Sequence, residues 1–172
     1  MFRKAALSDL DAIVSIYDAI HTREESGLTT TGWLRSVYPT RSTAEQAIHI
    51  GDMFVLEEHG TILAAARINH IQGEEYKLAS WTCDAPAENV MVLHTLVVHP
   101  ERAGDGIGTR FVAFYEELAV KNNSPFLRLD TNARNRAARS LYRKLGYQEV
   151  GIVPCVFNGI DGVQLVCLEK TL

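Results

Sequence analysis

The sequence lacks any apolar run approaching the ~20 residues that a membrane-spanning helix requires. Its start, MFRKAALSDLD, also lacks the apolar stretch of a secretory signal peptide. It contains no Pro/Gly/Ser-rich linker, no internal repeat and no low-complexity segment. We therefore expect one domain, residues 1–172, that has no membrane segment and resides in the cytoplasm.

Cysteine and clustered positive charge are also scarce. Cys83, Cys155 and Cys167 are widely spaced, with no CxxC and no nearby histidine pair, which argues against a disulfide framework and a metal site. We expect reduced and mostly buried thiols, a reactive thiol being the alternative. Lys and Arg total 17 and Asp and Glu total 21, a net charge of -4, and basic residues occur singly or in pairs. Because binding to nucleic acid needs a concentrated positive face, this balance argues against it.

Helical and strand patterns alternate along the chain. Residues 2–6 resemble a strand, and Ser8 with Asp11 resembles a capping box that opens a helix. Ser42 with Glu45 opens a second helix, which Gly51 ends. The runs MFVLEE and TILAAARIN are predicted to form a hairpin.

The second half contains a strand, a helix and a strand in succession. We predict strand 90–98, helix 107–121, strand FLRLDT, helix 135–145, and two strands, 147–157 and 163–170, around an NGIDG turn. This mixture indicates an α+β or mixed α/β fold around a mixed sheet.

A glycine-rich loop, RAGDGIGTR at residues 102–110, joins the apolar strand to the helix at 107. Such a loop can direct backbone N–H groups at an anion beside a helix N-terminus. No glycine precedes a lysine, which excludes a Walker loop. A dinucleotide fingerprint would place Thr109 where a small residue belongs and would need Asp130 as the ribose partner. A glycine turn without a ligand is the remaining alternative.

Two motifs resemble the GNAT superfamily of N-acetyltransferases. LVVHPERAGDGIG resembles that family's Q/RxxGxG/A loop, which binds the pyrophosphate of acetyl-coenzyme A, and NRAARSLYRKLGY resembles its NxxAxxLYxKxGF stretch. The resemblance implies a mostly antiparallel, mixed sheet of about six or seven strands flanked by about four helices. It also implies transfer of acetyl from acetyl-CoA to a primary amine by direct attack.

The loop departs from the family pattern at two positions. Ala103 replaces the usual Gln or Arg, with Arg102 beside it as a substitute, and Asp105 stands where many relatives carry a basic residue. Backbone amides must then supply most of the contact, which glycine permits because no Cβ blocks a close approach. The cofactor contacts that the resemblance implies are Leu96, Val97, Val98, Arg102, Ala103, Gly104, Asp105, Gly106, Ile107, Gly108, Thr109, Asn135, Ala138 and Tyr142.

Two side chains are candidates for proton transfer. Tyr142 corresponds to the family's general acid, the alternative being a core aromatic residue, and Asn135 is also a candidate helix cap. His94 interrupts an apolar strand, and alternation places it on the face of Val92, Leu96 and Val98. LHTLVVH resembles the corresponding strand of arylalkylamine N-acetyltransferases, where a histidine helps deprotonate the amine. A buried, hydrogen-bonded histidine is the alternative.

The acceptor site is the least defined part of the sequence. Segments 21–41 and 72–89 supply Trp33, Tyr38 and Trp81 together with acidic residues, which suit a cationic amine, either a small molecule or a peptide amine. Solvated loops with packing aromatic residues are the alternative. A coenzyme A-binding sensor or scaffold without catalysis is the second functional hypothesis, and the resemblance is compatible with a homodimer.

Overall fold

The computed structural model describes all 172 residues. The strands are β1 Phe2–Lys4, β2 Met53–Glu58, β3 Thr61–Asn69, β4 Val90–Val98, β5 Phe126–Asn132, β6 Gln148–Phe157 and β7 Ile160–Thr171. The helices are α1 Leu10–Glu25, α2 Arg41–His49, α3 Ile107–Lys121 and α4 Arg136–Lys144.

All seven strands form one sheet, in the order β1-β2-β3-β4-β5-β7-β6. Every neighbouring pair is antiparallel except β4 and β5, which are parallel and joined by α3. The predicted α+β class, with a mixed and mostly antiparallel sheet and four helices, is confirmed.

The two faces of the sheet are covered differently. α3 and α4 pack on one face, where Phe111, Tyr115 and Tyr142 join the largest core cluster. α1 and α2 cover the β1–β4 half of the other face. On that face the β5–β7 half is covered by the segment between β3 and β4, through Tyr76. The second face therefore carries two separate clusters with room between them.

The predicted capping boxes at Ser8 and Ser42 are wrong by one or two residues. A short 3-10 turn precedes α1, and the Asp9 carboxylate accepts the Ala6 N–H at 2.8 Å while it pairs with Arg3. At α2 the Thr40 hydroxyl accepts the Thr43 N–H at 3.3 Å. Equivalent cap residues adjoin both sites, so the sequence pattern fixes the helix but not its first residue.

The last hairpin turns earlier than predicted. Asn158 and Gly159 both have positive φ, at 51° and 78°, as a two-residue hairpin turn of the favoured hand requires. β7 therefore begins at Ile160 instead of 163, because the Asn-Gly pair at the start of NGIDG forms the turn.

A bulge in β4 overturns the predicted facing of His94. Val97 pairs with Ala65 and His94 pairs with Arg67, so two β4 residues lie opposite one β3 residue, and Thr95 has φ 52°. The extra residue reverses the alternation, so His94 shares the face of Val92, while Leu96 and Val98 pack on the α3 and α4 face. The part of the prediction that placed His94 with Leu96 and Val98 is wrong.

Candidate active site

The parallel strands β4 and β5 separate halfway along their length. Their pairing ends at Leu93 and Leu129, although β4 continues to Val98 and β5 to Asn132. A cavity of about 810 Å³ occupies this region. It is lined by Tyr142 and Ala138 of α4 on one side and by Tyr17 and Ile20 of α1 on the other. The gap therefore connects the two faces of the sheet.

The glycine loop stands at the start of α3, beside this gap. Gly104 and Gly106 have φ of 97° and 74°, and a Cβ added at either would meet no atom within 4 Å. Five backbone N–H groups donate to no protein acceptor, those of Gly104, Gly106, Ile107, Gly108 and Thr109. Successive free amides at a helix N-terminus form an anion-binding concavity, so the loop fits the pyrophosphate of coenzyme A.

The two departures from the family loop pattern have a clear structural consequence. Arg102 Nε donates to Asp105 Oδ2 at 2.7 Å, and both side chains are about half exposed. Ala103 lines the cavity and offers no polar group. The charge of Asp105 is thus paired within the loop, and Arg102, the expected substitute for a phosphate contact, is engaged by Asp105.

Tyr142 is both a core aromatic residue and a residue of the cavity lining. Its ring belongs to the core cluster and lies 5.9 Å from that of Tyr147, while the residue also lines the cavity. The hydroxyl makes no hydrogen bond with the protein. Burial, followed by the charge of Asp130, raises the pKa of Tyr142 well above its usual value of 10.0. The hydroxyl therefore stays protonated and free to donate.

Asn135 caps α4, as its helix-cap interpretation predicts. Its side-chain oxygen accepts the Ala138 N–H at 3.2 Å, and both residues line the cavity. The cap fixes the first turn of α4 two helical turns before Tyr142.

His94 is held by a chain of hydrogen bonds. Its Nε2 donates to Asn69 Oδ1 at 3.0 Å, because the Asn69 amide nitrogen donates to Asp52 at 2.7 Å. Burial, followed by the positive charge of Arg67, lowers the pKa of His94 to about 4. The imidazole is therefore neutral at physiological pH, lines the cavity and is a weak base.

Asp130 was expected from the sequence only as the ribose partner of the dinucleotide alternative and was missed as a candidate for the acceptor site. It lies on β5 one residue beyond the last β4 pairing, and its Oδ2 accepts the Tyr76 hydroxyl at 2.7 Å. Burial raises the pKa of Asp130 from 3.8 to about 6, with Glu75 adding to the shift. A lone acid in the apolar run FLRLDTN is the signal that could have found it.

The predicted acceptor residues separate into two groups. Trp33 and Tyr38 line the cavity, with ring centroids 6.1 Å apart, and the Tyr38 hydroxyl is hydrogen-bonded to Thr95. Trp81 does not line it. That ring lies 4.2 Å from the Arg128 guanidinium, and its N–H donates to the Tyr76 carbonyl at 2.7 Å. Trp81 therefore packs against Tyr76 and lies outside the cavity lining.

The Glu24 carboxylate organises the segment after α1, which forms part of the cavity lining. Glu24 accepts the N–H groups of Thr31 and Gly32 at 2.7 and 2.9 Å and the hydroxyls of Thr29 and Thr31. Thr30 donates to the Arg134 carbonyl at 2.7 Å, just before α4. This strap, residues 29–33, lines the cavity and is attached to the segment just before α4.

The predicted site residues divide into those that line the cavity and those that do not. Those that line the cavity are Trp33, Tyr38, His94, Leu96, Val97, Val98, Ala103, Asn135, Ala138 and Tyr142. Those outside its lining are Trp81, Arg102, Gly104, Asp105, Gly106, Ile107, Gly108 and Thr109. All of the second group except Trp81 form the adjoining loop and the start of α3.

Comparison with known proteins agrees with this geometry. The model of the acetyltransferase (GNAT) family matches residues 13–147. The chain belongs to the GNAT acetyltransferase family. This match confirms the predicted family, whose members generally use acetyl-CoA.

Individual relatives of this GNAT chain show the same relationship. It is 30% identical to an uncharacterised N-acetyltransferase of Bacillus subtilis (strain 168), YhfO, over 55% of its own length and 63% of that protein. A GNAT acetyltransferase structure from Streptococcus agalactiae 2603 superposes with TM-score 0.83 at 24% identity, covering 100% of this chain and 95% of that one. One from Listeria monocytogenes 4b F2365 gives 0.76 at 23% identity, covering 100% and 94%. The two structures establish the shared fold.

No helix of the GNAT chain is long and apolar enough to span a membrane.

Proposed function

We propose that this GNAT protein transfers the acetyl group of acetyl-CoA to a primary amine by direct attack. One observation carries the proposal. A single cavity passes through the gap between β4 and β5, and it brings Tyr142, His94 and Asp130 together beside the glycine loop. A cytoplasmic location and a homodimer are further parts of the proposal.

The glycine loop and the cavity lining together indicate which residues would hold acetyl-CoA. The free amides from Gly104 to Thr109 would bind its pyrophosphate, and Ala103, Asn135 and Ala138 line the path toward the gap. Beyond the bulge of β4, the same gap is lined by Leu96, Val97 and Val98. When bound, acetyl-CoA supplies an acetyl thioester, whose carbon–sulfur bond breaks as the amine nitrogen forms the new bond.

Tyr142 supplies the proton that the leaving sulfur needs. Its hydroxyl has no protein acceptor, and its raised pKa keeps the proton in place at neutral pH. A correctly placed acid typically contributes about 10²- to 10⁴-fold to rate.

Asp130 and His94 are the two candidates for taking a proton from the amine. His94 is the base expected from the sequence, but the lowered pKa of about 4 makes its imidazole a weak acceptor. Asp130, with a pKa of about 6, is mostly ionised at pH 7 and is still easily protonated. An efficient base has a pKa near the working pH, so we assign the role to Asp130 and treat His94 as the second candidate.

The non-catalytic alternative is less consistent with these side chains. A sensor or scaffold would need the loop alone, whereas the buried Asp130 carboxylate lowers stability at neutral pH. An acetyl-enzyme on cysteine is also disfavoured, because burial raises the pKa of Cys167 to about 12 and also raises that of Cys155. Thiolates are therefore scarce at both positions.

The test combines a binding measurement with an acceptor screen. Thermal unfolding is followed with and without acetyl-CoA, and a ligand at 100 times its Kd should add about 2.7 kcal/mol to the free energy of unfolding. Release of free thiol is then measured with amino acids, polyamines, arylalkylamines, aminoglycosides and peptides. We expect stabilisation, and thiol release only when an amine is present. No stabilisation by millimolar acetyl-CoA would refute the proposal, and stabilisation without any acceptor would favour the sensor.

A further inference from the structure

The charged residues on the acceptor side of the gap indicate what kind of amine it takes. Arg67 on β3, His94 on β4 and Asp130 on β5 lie in a row across the sheet. Arg67 is in register with His94, and the next step of the β4–β5 register would place Asp130 level with His94. Strands are about 4.8 Å apart, so the backbones of Arg67 and Asp130 are separated by about 10 Å or more.

Arg67 retains unused hydrogen-bonding capacity. Its only protein contact is from Nε to Asp52 Oδ2 at 3.5 Å, and the same oxygen accepts the shorter bond from Asn69. The two terminal nitrogens of the guanidinium donate to no protein acceptor. Arg67 lines the main cavity and also an adjoining pocket of about 280 Å³. A partly buried guanidinium with a free planar edge suits a carboxylate, which it can bind through two parallel hydrogen bonds.

Asp130 offers the opposite charge at the other end of the row. One carboxylate oxygen accepts the Tyr76 hydroxyl, and the other has no protein donor. Glu75 lines the cavity at the same end and adds negative charge. Asp130 forms no ion pair with Arg67 or with any other cation of the chain. The cavity lining therefore carries Arg67 at β3, held only by the long contact to Asp52, and Asp130 at β5, and these two charges do not pair with each other.

The remaining cations of the lining do not alter this polarity. Arg23 lies near the end of α1 and Arg136 in the first turn of α4, so both belong to the rim and not to the sheet.

We propose that the acceptor is a small amino acid, whose ammonium group binds Asp130 and whose carboxylate binds Arg67. This assignment rests on the proposed acetyl transfer. It places the nitrogen at the gap, where Tyr142 lines the opposite side, and it directs the carboxylate away from the gap. An amine without an acid group would make no contact with the terminal nitrogens of Arg67, so it would lose the hydrogen bonds that a carboxylate gains there.

Matched acceptors test the carboxylate directly. Each of a panel of free amino acids is assayed beside its carboxamide and beside the amine that lacks the carboxyl group. For the preferred side chain we expect kcat/KM of the acid to exceed that of both analogues by at least about 10-fold, the effect of one charge-assisted contact.

Variants of Arg67 assign the preference to this residue. Arg67→Gln should lower kcat/KM for the amino acid by at least about 10-fold and leave that for the carboxamide nearly unchanged, while Arg67→Lys should retain part of the preference. Arg143→Gln is the matched control, because Arg143 is exposed on α4 and contacts only Glu149. Calorimetric titration of the N-acetyl amino acid into the protein with coenzyme A supplies a readout apart from turnover, and binding should weaken in Arg67→Gln only.

Two outcomes would overturn the inference. One is equal kcat/KM for acids, carboxamides and simple amines, or for peptides, in the wild type. The other is a preference that survives Arg67→Gln when acetyl-CoA still stabilises the variant. Either result leaves acetyl transfer in place, whereas failure to bind acetyl-CoA or to acetylate any amine refutes the proposed function as well.

Discussion

Tyr142 and Asp130 show how burial prepares two neighbouring side chains for opposite proton transfers. Desolvation disfavours the charged form of each, so both pKa values rise. For Tyr142 the result is a hydroxyl that stays protonated at every physiological pH. For Asp130 it is a carboxylate that loses its proton near pH 6 and can regain it. Burial therefore makes Asp130 a stronger base, whereas it keeps Tyr142 protonated but makes its hydroxyl a weaker acid, so the role proposed for Tyr142 depends on its position in the cavity.

Tyr142→Phe removes the hydroxyl and keeps the ring in its core cluster. We expect kcat to fall by about 10²-fold or more, because proton donation to the leaving sulfur is lost. Affinity for acetyl-CoA, measured by calorimetry, should change little because the hydroxyl has no partner in the protein. Tyr147→Phe is the control, since its ring lies beside that of Tyr142 but outside the cavity lining. Unchanged kcat in Tyr142→Phe would remove this residue from the acid role.

Asp130→Asn should stabilise the protein at neutral pH. The native pKa of about 6 exceeds the ordinary 3.8, so the native state binds the proton more tightly than the unfolded state. Asp130 therefore contributes most stability below pH 4 and loses it as pH rises through 6. At 1.36 kcal/mol for each pH unit between the two values, the variant gains up to about 3 kcal/mol at pH 7.5 and nothing comparable at pH 4. Urea unfolding at both pH values measures the difference, and an equal difference at both would contradict it.

The pH dependence of turnover separates the two candidate bases. If Asp130 accepts the proton, kcat/KM of the wild type rises with pH up to about 6, and this limb disappears in Asp130→Asn. His94→Asn should keep the limb, because the His94 pKa of about 4 lies well below it. Loss of the limb in His94→Asn alone would instead assign the role to the histidine.

At the scale of elements, the bulge at Thr95 makes the site from an otherwise regular strand. It lets Leu96 and Val98 join the core under α3 while His94 faces the acceptor side with Val92. Positive φ at a β-branched residue costs about 1–3 kcal/mol and persists only where the surroundings impose it. The hydrogen bond between the Thr95 and Tyr38 hydroxyls connects the bulge to the acceptor segment.

Sequence reasoning predicted the local elements well and the non-local ones poorly. β4 and α3 have the predicted bounds, because an apolar run and a 3.6-residue stripe are local patterns. The bulge depends on how β4 pairs with β3 on either side of Thr95, and the importance of Asp130 depends on where the pairing of β4 and β5 ends. Arg67 was missed for the same reason, because it meets His94 only through β3–β4 register. None of these leaves a periodic signal in one segment.

The glycine loop gives a prediction at the same scale. Asp105→Asn removes a negative charge and releases Arg102 from its 2.7 Å pair. Acetyl-CoA should then bind severalfold more tightly at low salt, and the gain should shrink as salt rises, since exposed charges are worth about 0–1 kcal/mol and are screened. The double variant Arg102→Gln with Asp105→Asn is the control and should lose much of the gain. Equal affinity for wild type and Asp105→Asn would show that Arg102 does not reach the phosphates.

At the scale of the whole molecule, the sheet consists of two halves joined over a short length. β1–β4 pack on α1 and α2, β5–β7 pack on the segment before β4, and only four residue pairs join β4 to β5. α3 and α4 bridge the halves on the other face. A ligand that enters the gap contacts both halves and substitutes for the strand pairing that is missing there. We therefore expect cofactor binding to stiffen the fold well beyond the loop.

Amide hydrogen exchange can test this coupling between the halves. Acetyl-CoA should slow exchange in three places, namely residues 94–98, residues 130–132 and the first turns of α4. Some amides exchange only when the whole protein unfolds. For these, acetyl-CoA at 100 times its Kd should raise the free energy of opening by about 2.7 kcal/mol. 3'-Phosphoadenosine 5'-diphosphate keeps the pyrophosphate but lacks the pantetheine arm, so it should slow exchange in the loop and α3 but leave exchange at residues 130–132 nearly as fast as without ligand. If both ligands slow exchange only at residues 102–110, the pantetheine arm of acetyl-CoA does not occupy the gap between β4 and β5.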